Sequence, residues 1–182
     1  MASTRRFYLR TSTADDHNRL DALVGAIDGA ASYRNYLSGM YGFRAPLERR
    51  LANSALPERW LPWRPLFLGD ALATDLESLG IDLPLAHDAT DGIETMAALI
   101  GTLYTLEGAS LGGQLIARRA AAIGIGAGNG ASHLNPAGDP AGNWRGFLGV
   151  LENEPDLDMD AVAEASRQAF TLARQSFERY CV

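Results

Sequence analysis

No lysine occurs anywhere in the 182 residues, so all 16 basic side chains are arginines, a compositional trait with no functional reading of its own. Cysteine is nearly absent as well. Cys181 stands alone beside the C-terminus, which excludes an intrachain disulfide and makes a reducing cytoplasm the expected setting. It has no histidine near it in sequence, and no Gly-x-Ser-x-Gly elbow occurs, so a covalent hydrolase has no support. Long apolar runs are missing too. The most apolar window, Met96 to Leu106, is broken by Glu107 and is too short to span a bilayer. The first residues, with Arg5, Arg6 and Arg10, lack the apolar stretch of a signal peptide, so no membrane partner is expected. A net charge of −6 argues against a general nucleic-acid binder. His87 and His133 have no companions at metal-ligand spacing. The acidic pair Glu152 and Glu154 reads as surface charge.

What is present is helical periodicity. Hydrophobic residues make up 47% of a chain whose length fits one domain, here taken as 1–182. Thr13 or a neighbour caps a first helix, with Asp15 and Asp16 in its favourable first turn. Thr13, His17, Leu20, Val24 and Ile27 follow at steps of four and three, one helical face ending at Gly29. A second helix spans Ser32 to about Asn53, with Pro46 predicting a kink or a break. Pro57, Pro62 and Pro65 mark an irregular link, followed by a helix from Leu66 to Leu79. A long pattern covers Ile93 to Ile123, with Thr90 or Asp91 as its cap. Residues 124–142 are glycine-rich and read as loop. A short helix around Trp144 to Leu151 and a last one from Asp158 to Tyr180 complete the pattern. No alternating strand pattern and no internal repeat appears, so the expected class is all-α.

Two constellations carry possible chemistry. His17 and Asp21, at i and i+4, lie on one side of a helix, so the carboxylate can reach the imidazole. A metal-bound histidine commonly gives its second N–H to such a group; a satisfied core histidine beside a solvated Asp is the competing reading. The second constellation is Gly108-Ala109-Ser110-Leu111-Gly112-Gly113 inside a helical pattern. Each interior glycine costs roughly 0.5–1 kcal/mol relative to alanine. Gly108 and Gly112, one turn apart, bare the backbone either to a flat ligand or to a packed helix. No Gly-Lys-Ser/Thr follows, so this is not a phosphate loop. In the last helix Phe170, Ala173, Phe177 and Tyr180 form by themselves a core stripe.

Together these segments resemble the haem oxygenases, especially the bacterial branch associated with bacteriophytochromes. The resemblance runs from about Leu9 to Tyr180. It is carried by the segment Leu9 to Asp21, then Tyr41-Gly-Phe-Arg-Ala-Pro-Leu-Glu48, then Leu106 to Gln114, and finally Ala169-Phe170 with Phe177-Glu178. It implies a helical fold with haem b, substrate and cofactor at once, sandwiched between an N-terminal proximal helix and a kinked glycine-rich distal helix. His17 becomes the iron ligand and Asp21 its orienting partner, while Gly108, Gly112 and Gly113 form the distal wall. Arg10 and Arg145 are implied as propionate contacts, Tyr104 as another, and Phe170 as an aromatic at the haem edge. Animal members carry an Asp where this chain has Ala109; Ser110 is the candidate contributor to the remaining proton network. The implied reaction uses O2 and electrons from a ferredoxin or a reductase to give biliverdin, carbon monoxide and ferrous iron. A bacteriophytochrome is the possible acceptor of the biliverdin. A non-catalytic haem sensor or carrier on the same fold, or a scaffold without cofactor, are the rival expectations.

Overall fold

A computed structural model of the protein describes residues 4–84, 91–136 and 139–181. Among these the regular structure is helical: α1 (Thr4–Ser12), α2 (Ala14–Val24), α3 (Ala30–Ala52), α4 (Gly69–Ser78), α5 (Met96–Ala122), α6 (Pro140–Asn153) and α7 (Met159–Glu178). Two single 3₁₀ turns, Glu58–Trp60 and Ser132–Leu134, interrupt the links. The all-α expectation holds. None of the helices is long and apolar enough to cross a membrane.

Helix α7 is the axis of the molecule; α1, α2, α3 and α5 all pack on it. Its start lies where the pattern put it, and Asp158 caps it by accepting from the amides of Asp160 and Ala161. The expected aromatic stripe splits: Phe170 and Phe177 are buried, and the helix ends at Glu178 before Tyr180. Two apolar clusters fill the interior. One gathers Leu9, Phe43, Leu103, Trp144 and Phe147, and the other Tyr33, Tyr36, Leu72, Leu76 and Phe177. Contact between α5 and α7 is close because Gly101 has no side chain: a Cβ there would lie 2.5 Å from the Val162 carbonyl oxygen.

Several helix ends differ from the sequence expectation. The first helical pattern begins nine residues earlier, as the separate helix α1. Its anchors are remote: the amides of Arg5 and Arg6 donate to Glu152, and the Arg5 guanidinium donates to the carbonyls of Leu151 and Glu154. Thr13 occupies the cap position of α2, yet its hydroxyl donates backwards to the Leu9 carbonyl. Helix α2 stops at Val24 because Gly25 turns into the left-handed region at φ 64°. Ile27 is buried from the following loop rather than from the helix.

Pro46 does not break α3, which runs unbroken from Ala30 to Ala52. An interior proline costs about 3 kcal/mol, but Phe43, Leu47 and Leu51 are buried around it, each gaining about 1.5–3 kcal/mol. The buried Arg44–Glu48 pair, 2.7 Å apart, also spans the proline. Helix α4 starts later than expected, its first amides capped not locally but by the Glu48 carboxylate, which accepts from Leu68 and Gly69. The cap of α5 is Thr95, whose hydroxyl accepts from the Ala98 amide, rather than Asp91; Thr90 and His87 lie outside the described residues. Helix α6 begins at Pro140, earlier than the expected Trp144, because a proline in the first helical turn forfeits no hydrogen bond.

Candidate functional site

His17 sits on the second turn of α2 with its Nδ1 3.1 Å from an Asp21 carboxylate oxygen. Both side chains are mostly exposed, 62% and 69%. The core-histidine alternative is therefore excluded. The i, i+4 pair engages one imidazole nitrogen and leaves Nε2 free to bind. Phe170 of α7 stands beside the ring, edge to face, at 6.1 Å between centroids. No residue of α2 is fully buried, although Leu20, Leu23 and Val24 lie against the core.

Helix α5 also packs on α7. It advances along α7 in parallel: Gly101 lies against Val162 and Ala165, and the Thr105 and Ser166 hydroxyls are 2.9 Å apart. Gly108 and Ala109 follow on α5 about one turn after Thr105. Tyr104 of α5 lies near Thr13, the residue that precedes α2. A Cβ at Gly108 or Gly112 would meet nothing within 4 Å, whereas one at Gly113 would lie 3.5 Å from Leu134. The tight helix–helix packing alternative therefore fails for Gly108 and Gly112: their missing side chains face space. Leu111, Leu115 and Leu172 add exposed apolar surface to these helices.

Tyr104 also packs on Trp144, and burial raises its hydroxyl pKa against the hydrogen bond to Thr13 and the charges of Arg6 and Arg10. Arg10 itself is exposed. The structure therefore brings His17, Asp21 and Phe170 together, and Tyr104 with Arg10 nearby. Arg145 is not joined to them; it is 70% exposed and pairs with Asp139 at 3.3 Å. Ser110 turns inward, donating to the Leu106 carbonyl and accepting from Arg44, so it offers no free hydroxyl at the bare glycine row.

Three buried polar groups went unread in the sequence. Arg44, 1% exposed, donates to Glu48, Ser110 and the carbonyls of Leu106 and Leu66, tying α3 to the middle of α5. Its i, i+4 spacing to Glu48 was the available signal. Glu107, next to Gly108, accepts from the Leu66 amide and the Asn143 side chain, and burial pushes its carboxyl upward. His133, expected in a loop without companions, is buried with Asp75 and Tyr36. The surface-charge reading of Glu154 is also wrong. That carboxylate is 4% exposed and accepts from the Trp60 indole and from Arg59; burial pushes it upward, but these bonds and the charges of Arg59 and Arg5 bring it below the usual range. Glu152 serves as the cap of α1.

Among the described residues no cluster of three or more His, Cys, Asp or Glu side chains could hold a metal. Helix α2 instead offers one nitrogen donor with a carboxylate behind it and an aromatic edge beside it, and α5 offers a side-chain-free stretch of helix. That donor set fits a planar group carrying its own metal ligands, held by a single axial imidazole.

Comparison with known proteins agrees. The family model described as heme oxygenase matches residues 7–179. Heme oxygenase PigA of Pseudomonas aeruginosa is 28% identical over 177 residues, covering 94% of this chain and 87% of the relative. The heme oxygenase of Neisseria meningitidis, solved in its NO- and CO-bound forms, superposes with a TM-score of 0.71 at 24% identity, covering 93% of this chain and 90% of that one.

Proposed function

The chain belongs to the haem oxygenase family, and from that premise we propose that its cleft between α2 and α5 binds haem b with His17 Nε2 as axial ligand. The enzyme acts on haem with O2 and a reductant, and the family does not favour the sensor or carrier reading. Bound haem supplies the reactivity by which its own ring is opened to biliverdin, carbon monoxide and ferrous iron. The protein supplies placement. Asp21 accepts the Nδ1 proton of His17, which fixes the tautomer and strengthens the ligand nitrogen. Phe170 holds the imidazole plane from the side. Gly108 and Gly112, with Gly113 beside them, let the α5 backbone lie against the opposite haem face, a surface that any larger residue would occupy.

Arg10 of α1 and Tyr104 of α5, which lie near each other, are the proposed propionate contacts, and Arg–propionate pairing would set the in-plane rotation of the ring. Arg145 completes that set by exchanging its weak exposed partner Asp139 for a propionate. The reading further includes a single domain over 1–182, a cytoplasmic location, a ferredoxin or a reductase as electron donor, and a bacteriophytochrome as biliverdin acceptor.

The observation that carries the assignment is the exposed His17 backed by Asp21, together with the open space at Gly108 and Gly112. Haemin titration tests it. Wild-type protein is expected to give a Soret band that His17→Ala loses or alters, and reductant with oxygen is expected to replace that band by biliverdin absorbance. An unchanged band in His17→Ala overturns the ligand assignment; a band that persists without biliverdin overturns the catalytic one.

A further inference from the structure

Helix α1 has little to hold it on its own. It is nine residues long, short of what an isolated helix needs to be stable in water, and Leu9 is its one buried residue. It is nevertheless fixed, and its partner is the end of α6. The Glu152 carboxylate accepts from the Arg5 and Arg6 amides at 3.0 and 3.2 Å, two of the four donors that a helix start leaves open. In exchange, Arg5 Nη1 donates to the Leu151 and Glu154 carbonyls at 2.8 and 2.7 Å, and to that of Glu152 at 3.3 Å. These carbonyls belong to the last turn of α6 and its cap residue. Each helix thus supplies the charge that the other lacks. Helix α1 has no acidic residue in its first turn, and α6 has no basic residue in its last. The α6 end is itself pinned, because the buried Glu154 carboxylate accepts from the Trp60 indole at 2.8 Å and pairs with Arg59.

What α1 holds is α2. Thr13 alone separates the two helices, and helical hydrogen bonding continues across it. The Thr13 amide donates to the Leu9 carbonyl and the His17 amide to the Thr13 carbonyl, both at 3.0 Å. Helix α2 has no buried residue of its own and rests on α7. The stretch from Arg5 to His17 is therefore close to one helical rod. Its outer end is held by the exchange with α6 and by the Tyr8 hydroxyl, which donates to Asp160 of α7. Leu9 and Thr13 are the only buried residues from Thr4 to Val24, so loosening that end frees the rod and leaves the core intact.

We propose that Arg5 and Glu152 are positioning residues whose reciprocal capping latches the N-terminal rod to α6 and so fixes the place of the His17 imidazole. The proposal rests on His17 being the haem ligand. It gives a function to a contact far along the chain from the ligand, and it explains why a helix with one core residue carries two sets of remote hydrogen bonds at its start.

The test uses full-length protein and two measurements. The first is the rate at which the haem-loaded protein gives up haem to excess apomyoglobin. The second is amide hydrogen exchange of the haem-free protein. Arg5→Met keeps most of the side-chain stem and removes its donors. It is expected to release haem about tenfold faster, the factor that loss of one charge-assisted hydrogen bond produces, and to speed exchange in α1 and α2 while α3, α5 and α7 keep wild-type protection. Arg5→Lys is expected to restore part of the loss, and Glu152→Gln to act in the same direction as Arg5→Met. Exchange that quickens evenly over all the helices overturns the proposal, since the pair would then serve general stability. An unmoved release rate overturns it as well. If Arg5→Met fails to fold, Glu152→Gln decides alone. If wild-type protein takes up no haem, the assignment of His17 has failed and the proposal falls with it; if it holds haem and the variants change neither measurement, the latch alone has failed.

Discussion

Among the described residues two His–Asp pairs have similar contact distances and opposite surroundings. His17 and Asp21 meet at 3.1 Å on one helix, 62% and 69% exposed; His133 and Asp75 meet at 2.6 Å across two elements, 2% and 3% exposed. An exposed pair contributes little to folding, because water screens it and long-range order is not at stake. A buried pair has lost its hydration, and each member becomes costly as soon as the other is removed. One chemical motif therefore sits in two settings: the surface pair leaves an imidazole exposed, and the buried pair holds α4 and the 132–134 turn together.

Exchanging the two histidines is the sharpest way to break this comparison. His17→Ala is expected to abolish biliverdin formation and weaken haem uptake by about 100-fold or more, with an unchanged thermal transition. The His133→Ala protein is expected to keep its Soret band and unfold at lower temperature. Soret titration beside thermal melts checks both, and matching profiles for the two variants would dissolve the distinction. The aspartates come next. Asp75→Ala strands an imidazole N–H and two backbone amides in the core, at about 1–3 kcal/mol each, and urea unfolding is expected to show a total loss of about 3 kcal/mol or more. Asp21→Asn is expected to leave unfolding unchanged and to lower haem affinity by about 10-fold.

The same contrast extends to the backbone of α5. Gly101→Ala sets a methyl group 2.5 Å from the Val162 carbonyl oxygen and is expected to destabilise by about 1–3 kcal/mol. Gly112→Ala adds a methyl group into open space and is expected to stabilise the haem-free protein by about 0.5–1 kcal/mol while weakening haem uptake. Denaturant melts with and without haemin separate the two effects.

The smallest expected effect is on pH dependence. The folded state holds His133 below its ordinary pKa of 6.5, so below about pH 6.5 the unfolded chain binds a proton that the folded one refuses. Stability therefore falls as pH falls through that range, by at most about 1.4 kcal/mol per pH unit. Asp75 is held below 3.8 because the hydrogen bonds from His133 and Ser132 outweigh its burial; its contribution is present above that value and fades on further acidification. In His133→Gln the loss beginning near pH 6.5 is expected to disappear while the later one remains. Haem-free melts from pH 7 to pH 4 check this.

The sequence was most informative where contacts are local. His17 and Asp21 are a turn apart, Gly108 and Gly112 are a turn apart, and helical period reveals both spacings. The long helices were legible for the same reason, and Asp158 announces its cap within three residues. What stayed hidden depends on distance along the chain. Asp75 and His133 are 58 residues apart, Arg5 reaches across 149 residues to the Glu154 carbonyl, and Glu48 caps a helix 20 residues further on. No local pattern advertises such partners, so Glu154 read as surface charge and His133 as a loop residue. Pro46 misled for a related reason: propensity is local, and the burial that outweighs it is not.

Mechanically, α5 is a bridge with two abutments. Its near end is set in the core from Leu99 to Glu107, and its far end is seated again at Ile116, Ala117 and Ala120. Between them runs a span propped from below at Ser110 and Arg44, with three side-chain-free residues on its deck. A load laid on such a span deflects its middle and leaves the abutments where they were. The helix can yield to a plate pressed against it without disturbing the rest of the building.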